Sequence, residues 1–363
     1  MNAEVTALRR GVTTPRRLLA ALAFLTIGLA LAALQLQPVS AQDKEKKVDA
    51  SIEQGVLVVT GTADADTITL RLRAGHPDTL EVDDGGHGGL ADIKIKRDRF
   101  DAIVVNARDG NDQVQIDESN GAFTDTHPTT LNGEEGDDTL LGGSGAESFD
   151  GGDGNDTILG RAGIDVMSGG PGNDFIDGDQ GNETALLGDG DDTFRWDPGD
   201  GSDVIEGGAG SDTMLFNGAA GVENFDASAN GGRLRFFRSA GNIVMDTDDV
   251  EIVDLNTLGG ADNVVVNDLS ATDVTAVNID LASPAGGAGD GAADLVKVVG
   301  TNGVDNITIA GNASGVSVTG LAATVGLVGM EGANDTLQID TLGGDDIVNS
   351  AGLAAGTIAL VVN

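Results

Sequence analysis

A period of nine residues governs the middle of this chain and leaves few folds open to it. From Asn132 to Met214 the pattern is any residue, Gly, Gly, any, Gly, any, Asp, any, apolar. Asp150-Gly151-Gly152-Asp153-Gly154-Asn155-Asp156-Thr157-Ile158 is its clearest copy, and nine copies fit. The fifth position is Gly in all of them: Gly136, Gly145, Gly154, Gly163, Gly172, Gly181, Gly190, Gly201 and Gly210. The seventh is always acidic: Asp138, Glu147, Asp156, Asp165, Asp174, Glu183, Asp192, Asp203 and Asp212. The ninth is apolar throughout, as in Leu140, Phe149, Ile158, Met167 and Ile176. One slip occurs, the insertion Arg195-Trp196, after which the frame resumes at Asp197. A flexible Gly/Asp linker has no reason to hold an apolar residue in register, so this tract folds.

Each half of the repeat has its own physical job. The Gly-rich half accommodates positive φ in a tight turn without a Cβ clash. The triplet after it is a very short strand with one side chain aimed inward. Turn and strand make half a coil, so two repeats close one coil of a solenoid whose strands stack in parallel. The seventh-position carboxylates are then expected in columns along the outside of the turns, where they repel one another. A hard cation with six to eight oxygen ligands relieves that repulsion, and carbonyls of the Gly-rich turns complete its shell. A phosphate cradle does not fit: no third Gly stands at the fingerprint spacing, and carboxylates repel phosphate. The calcium loop that ends in a twelfth-position Glu is also absent.

These residues resemble the RTX family, the hemolysin-type repeats whose nonapeptide is a calcium-binding β-helix unit. The resemblance implies an all-β chain, a right-handed parallel β-roll or β-helix solenoid with calcium between coils. The ligands it points to are Asp138, Asp156, Asp174, Asp192, Asp203, Asp212 and Asp165, with the turn glycines Gly136, Gly152, Gly154, Gly170, Gly172 and Gly190. Consecutive copies fall on opposite edges. The odd copies keep Asp138, Asp156, Asp174 and Asp192, each preceded by Asp or Asn. The even copies are worn: Glu147 and Glu183 replace Asp, Arg161 replaces a turn Gly, and Ile164 precedes Asp165. The odd column is therefore expected to bind calcium first, and the even column weakly or to hold its acids by hydrogen bonds. The insertion is expected to bulge, with Trp196 filling a corner, and to reset the stacking beyond Asp192.

The flanks follow from charge and strand pattern. Residues 1–41 carry Arg9, Arg10, Arg16 and Arg17, then an apolar run to Leu36 and a small-residue cleavage site at Val39-Ser40-Ala41. That is an export signal, with an uncleaved anchor as its rival. Removing it leaves 16 basic and 58 acidic residues, a net charge of −42. Such a chain excludes nucleic acid as a partner and disfavours anionic membranes. No Cys is present, so calcium is the available cross-link. Residues 42–49 are expected to be a charged disordered tail, and 50–131 an N-terminal β cap with two worn repeats, Gly61-Thr62-Ala63-Asp64-Ala65-Asp66-Thr67-Ile68 and Asp109-Gly110-Asn111-Asp112-Gln113-Val114. Residues 132–214 are the roll, and 215–363 a C-terminal solenoid with longer, uneven repeats. The basic patch Lys94, Lys96, Arg97 and Arg99 is expected to be solvated or paired with acids. Ser283 to Gly291 is a loop out of the solenoid.

Catalytic signatures are missing. No H-E-x-x-H or G-x-S-x-G exists, and His76, His87 and His127 stand apart. The expectation is a non-enzymatic, secreted calcium-binding protein with a structural or cell-surface interaction role. Its partners would be calcium, a surface glycan or protein, or a second copy through the C-terminal strand edge. A polysaccharide-active β-helix enzyme and a carbohydrate-binding adhesin are the alternatives.

Overall fold

The computed structural model of the protein describes residues 47–86, 93–287 and 289–363. The export signal and its anchor rival fall on 1–41, outside the described residues. No helix of the described residues is long and apolar enough to cross a membrane. The described chain is all-β, as the sequence expectation has it: two sheets of 15 strands each, and two single 3-10 turns at Arg97–Arg99 and Ala240–Asn242.

The nine-residue frame becomes two strands per coil. One sheet holds Thr129–Glu135, Glu147–Asp153, Val166–Pro171, Thr184–Asp189 and Val204–Ala209, paired in parallel. The other holds Thr139–Leu141, Thr157–Leu159, Phe175–Asp177, Thr193–Trp196 and Thr213–Asn217. Partners are 18 residues apart, as in Thr157 opposite Thr139 and Phe175. The ninth-position side chains point between the sheets and are buried, and each Leu, Ile, Met or Phe among them contributes roughly 1.5–3 kcal/mol of apolar burial.

The insertion neither bulges nor resets the stack, contrary to the sequence expectation. It lengthens one strand, and the next coil matches it: Arg195 pairs with Leu215 and Trp196 with Phe216, at a step of 20 residues. Trp196 is fully buried and stacks on Phe216 with ring centroids 4.1 Å apart, while its Nε1 donates to the Gly201 carbonyl at 2.8 Å. An aromatic partner in the neighbouring coil makes the longer strand the better solution.

Turn glycines are fixed by close stacking as well as by φ. Gly172 has φ +146°, and a Cβ there would lie 1.7 Å from the Gly154 carbonyl oxygen of the coil before. Gly199 has φ +131° but open space around it. Gly199→Ala should therefore cost about 1–3 kcal/mol of strain, and Gly172→Ala clearly more, because the coils must also part. Urea denaturation of the two variants in calcium measures the difference. Equal losses would show that stacking imposes no requirement of its own.

The ends of the array are closed differently. Before it, Asp49–Glu53 runs antiparallel to Val56–Thr60, and Thr67–Arg73, His76–Asp83 and Ile93–Lys96 form an antiparallel meander. These hairpins supply the outermost strands at this end, Asp49–Glu53 in one sheet and Ile93–Lys96 in the other. Strand formation thus begins at Asp49, inside the stretch expected to be a tail, because Val48 is buried and Asp49 pairs with Thr60. Three residues of the basic patch have partners: Lys96 binds Asp78, Lys94 lies 3.9 Å from Glu81, and Arg97 donates to Thr126 Oγ1 at 2.7 Å. After the array the chain twice skips ahead and fills the gap backwards. Asn224–Asn230, Arg233–Arg238 and Ile243–Asp248 do so in one sheet, Asn306–Asn312, Gly315–Thr319 and Thr324–Val328 in the other. Parallel coils resume beyond each.

Candidate metal centre

The seventh-position acid stands immediately before a strand, and its backbone amide has no strand partner. The next coil supplies one. Asp112 N–H donates to Asp138 Oδ1 at 2.7 Å, Asp138 to Asp156 at 2.7 Å, Asp156 to Asp174 at 2.8 Å, Asp174 to Asp192 at 2.7 Å and Asp192 to Asp212 at 3.0 Å. The ladder begins one coil earlier, where Asp66 donates to Asp112, and ends where Asp212 donates to Glu251. The insertion does not interrupt it. The columns exist as expected, but not on the outside: every one of these aspartates from 112 to 212 is at least 97% buried. A carboxylate that caps an amide has to turn in under the coil rather than out to water.

The sixth position carries a second ladder running the opposite way at the surface. Asn155 N–H donates back to Asp137 Oδ1, Asn173 to Asn155, Asp191 to Asn173 and Ser211 to Asp191, all at 2.8–2.9 Å. Sequence reasoning noted these residues beside the odd acids without seeing their role. The recurrence of Asn or Asp at this position, both with an acceptor oxygen, was the available signal.

One oxygen of each inner acid remains. Oδ2 of Asp112, Asp138, Asp156, Asp174, Asp192 and Asp212 is buried without a hydrogen-bond partner. A buried, unpaired carboxylate oxygen is costly unless something positive meets it. Carbonyl oxygens converge nearby. A Cβ on Gly151 would sit 2.3 Å from Asp156 Oδ2 and 2.5 Å from the Gly169 carbonyl; Gly169 stands likewise to Asp174 and Leu187. The carbonyls of Gly136, Gly154, Gly172 and Gly190 face the next coil at the fifth position, and those of Gly152 and Gly170 do so at the third. The structure thus brings Asp138, Asp156, Asp174, Asp192 and Asp212 together with all six expected glycines on one edge. An anionic oxygen amid stacked carbonyls fits a hard cation that prefers oxygen.

The other edge is built differently. Glu147 accepts from the Gly143 and Gly145 amides at 3.1 Å each, so hydrogen bonds hold it. Arg161 donates to the Gly142 carbonyl at 3.1 Å and to Ile116 at 2.7 Å, placing a guanidinium on turn oxygens. Arg195 pairs with Asp177. These are the two basic residues of 132–214, and both lie on this edge. Asp165 and Asp203 still cap amides, those of Glu147 at 2.8 Å and Glu183 at 2.9 Å. Asp165 Oδ2 and both oxygens of Glu183 are buried without partners. The longer Glu183 folds back over Gly178 and Gly181.

Burial is the chief influence on all these acids, and it favours the neutral form. It pushes Asp112, Asp156 and Asp212 up to about 6, Asp138 and Asp174 to about 7 and Asp165 to about 8, while the capping amides pull the other way. Burial raises both Glu183 and Asp203; Asp203 raises Glu183 further, whereas contact with Glu183 pulls Asp203 back down. Elsewhere Asp248, Asp249 and Asp273 approach within 4.8 Å, but Arg233 pairs with Asp248 at 3.2 Å.

The match to a family model agrees with this geometry. The model of the RTX calcium-binding nonapeptide repeat (4 copies) matches residues 126–158, 159–194 and 199–220. No curated protein matches the chain. Among solved structures, the extracellular lipase LipA from Serratia marcescens is similar, at 13% identity and a TM-score of 0.16, over 65% of this chain and 43% of its own. Residues 126–220 are an array of RTX calcium-binding nonapeptide repeats, wound as a parallel β-roll.

Proposed function

We propose that this chain is exported and folds on calcium outside the cytoplasm, where it serves a structural or surface-interaction role rather than a catalytic one. The observation that carries this reading is the row of buried, unpartnered Oδ2 atoms, six in one column. Asp138, Asp156, Asp174, Asp192 and Asp212 would supply anionic oxygens, and Gly136, Gly152, Gly154, Gly170, Gly172 and Gly190 carbonyls. Asp165 and Asp203 would serve on the opposite edge, where fitted arginines leave less need for an ion. Bound calcium supplies charge neutralisation and a cross-link between coils. The residues do the rest: Oδ1 joins each coil to the one before, and the apolar column excludes water from the interior. A net charge of −42 after signal removal keeps the ion-free chain loose, so little of it folds where calcium is scarce.

A surface partner is consistent with the C-terminal strand Ala359–Val362. It pairs with Thr336–Asp340, and Val361 and Val362 remain exposed. A glycan, a protein or a second copy could add there as a further strand or against its side chains.

Chelation tests the calcium reading. With EGTA, far-UV ellipticity should fall and the melting temperature should drop by about 10 °C or more, the scale set by losing several bound ions. An unchanged β spectrum together with unchanged melting would sink it.

A further inference from the structure

The acidic ladder recurs beyond the nonapeptide array. Glu223 N–H donates to Asp262 Oδ1 at 2.8 Å, Asp262 to Asp294 at 2.8 Å and Asp294 to Asp335 at 3.1 Å. These residues precede the parallel strands Asn224–Asn230, Asn263–Val266, Leu295–Val299 and Thr336–Asp340. The backbone follows the array's turn at spacings of 39, 32 and 41 residues. Leu258 and Gly260, at the third and fifth positions before Asp262, have φ +65° and +112°. A Cβ on Gly260 would lie 2.6 Å from the Gly221 carbonyl oxygen, the contact that Gly172 makes with Gly154.

The charges along this edge are answered at one end only. Glu223 is met by Arg238, whose Nε donates to Oε1 at 2.6 Å and which lies over the Trp196 ring. Asp262 is 98% buried, and its Oδ2 has no partner. The charges that act on it, Asp294, Glu223 and Asp290, are all acidic. Two loop acids then enter where the array has only backbone. Asp290 Oδ2 accepts the Gly260 amide at 2.6 Å, and Glu331 Oε2 accepts the Gly291 amide at 2.6 Å. Asp290 also accepts the Ala292 amide at Oδ1, 2.7 Å, and Glu331 Oε2 also accepts from Asn334 Nδ2 at 3.4 Å; a carboxylate oxygen that accepts one amide retains a second lone pair. Ser283 to Gly291 is thus more than a loop out of the solenoid, because it delivers Asp290 to the edge.

We propose that Asp262, Asp294 and Asp335, with Asp290 and Glu331, form a separate binding edge for a hard divalent cation, calcium, outside the nonapeptide array. The inference rests on the reading of the array as calcium-binding, since Asp262 repeats the array's capped acid with one orphaned oxygen, while Asp335 accepts a backbone amide at each oxygen, from Asp294 and from Glu331. It differs in ligand supply. The array offers one carboxylate per turn plus glycine carbonyls, whereas this edge adds acidic side chains from the loops. More anionic ligands raise affinity for calcium, and sites of differing charge fill at different concentrations.

Hydrogen exchange on the full chain with calcium chloride and with EGTA tests this. In the parent, calcium should slow exchange of the amides of 260–266 and 290–299 by roughly a hundredfold at a hundred times the dissociation constant. The isosteric variant Asp262→Asn, Glu331→Gln keeps the capping acceptor oxygens. It should lose that protection, bind fewer calcium ions in equilibrium dialysis and leave protection of 138–176 intact. If 138–176 responds to calcium and 260–299 does not, the proposal is overturned while the array's reading stands. If the variant keeps full C-terminal protection, the effect is transmitted from the array and the proposal is again overturned. If neither region responds, the calcium reading of the array fails, and this inference with it.

Discussion

The Asp156→Asn, Asp174→Asn variant should bind far less calcium along the inner column while its coils remain joined. Asparagine keeps the Oδ1 acceptor that receives the Asp138 and Asp156 amides, but it replaces each unpartnered anionic Oδ2 with a neutral amide. The charge that meets the ion is removed and the ladder is kept. One ion at a hundred times its dissociation constant contributes about 2.7 kcal/mol. Each aspartate lies between two coil interfaces, so the pair should lower calcium-dependent stabilisation by about 5 kcal/mol or more. Glu147→Gln is the contrast. Its oxygens accept two amides rather than facing carbonyls alone, so the change should cost about 1 kcal/mol, in calcium and EGTA alike. Calorimetric melts of both variants in the two buffers provide the comparison. If both lose calcium-dependent stability equally, the edges bind alike and the asymmetry is wrong.

Without calcium, stability should fall as pH rises, the reverse of ordinary acid denaturation. The inner aspartates are lifted by burial from 3.8 to between about 6 and about 8 in the folded array. A raised folded value means that the native state holds protons the unfolded chain has released. The contribution is therefore full below about 4 and is lost as pH climbs through 6 to 8. Several such groups together are a substantial part of the roughly 5–15 kcal/mol that holds a whole domain folded. The chelated chain should melt highest near pH 4 to 5 and be largely loosened by pH 8. Calcium should invert the trend, because it displaces protons from its ligands and binds better as they ionise. Melts from pH 4.5 to 8 in EGTA and in calcium decide the matter. A chelated chain most stable at pH 8 would mean that the buried acids are solvated in solution.

The array was legible because each position of its frame has one physical task. A Gly at the fifth position relieves a carbonyl contact, an acid at the seventh caps an amide, and an apolar ninth fills the core. The burial of Asp156 and its neighbours was not legible, since acids are rarely buried and the donor that permits it comes from another coil. Asp66, Asp112 and Glu251 belong to the same column; Asp66 and Asp112 sat in recognisably worn repeats, and Glu251 did not. The C-terminal strands showed their alternation, but not their order. Nothing local to Arg233–Arg238 states that it will lie between a strand ahead of it and one behind. Pairing there is set by the gap that a skipped coil leaves.

The stack of Trp196 on Phe216 has a practical corollary. The chain contains one Trp and no Tyr, so its intrinsic emission is a local gauge sited where the nonapeptide frame gives way to longer coils. Phe216, Phe225 and Phe236 pack around that point, with ring centroids 4.8 to 6.2 Å apart, and Arg238 lies over the indole. The joint is therefore fastened by rings and a resident guanidinium rather than by a metal. During chelation the emission should hold while ellipticity from the array declines, and it should change only when the joint itself opens. Two signals from one cuvette would then time the loosening of the roll against the parting of its two halves.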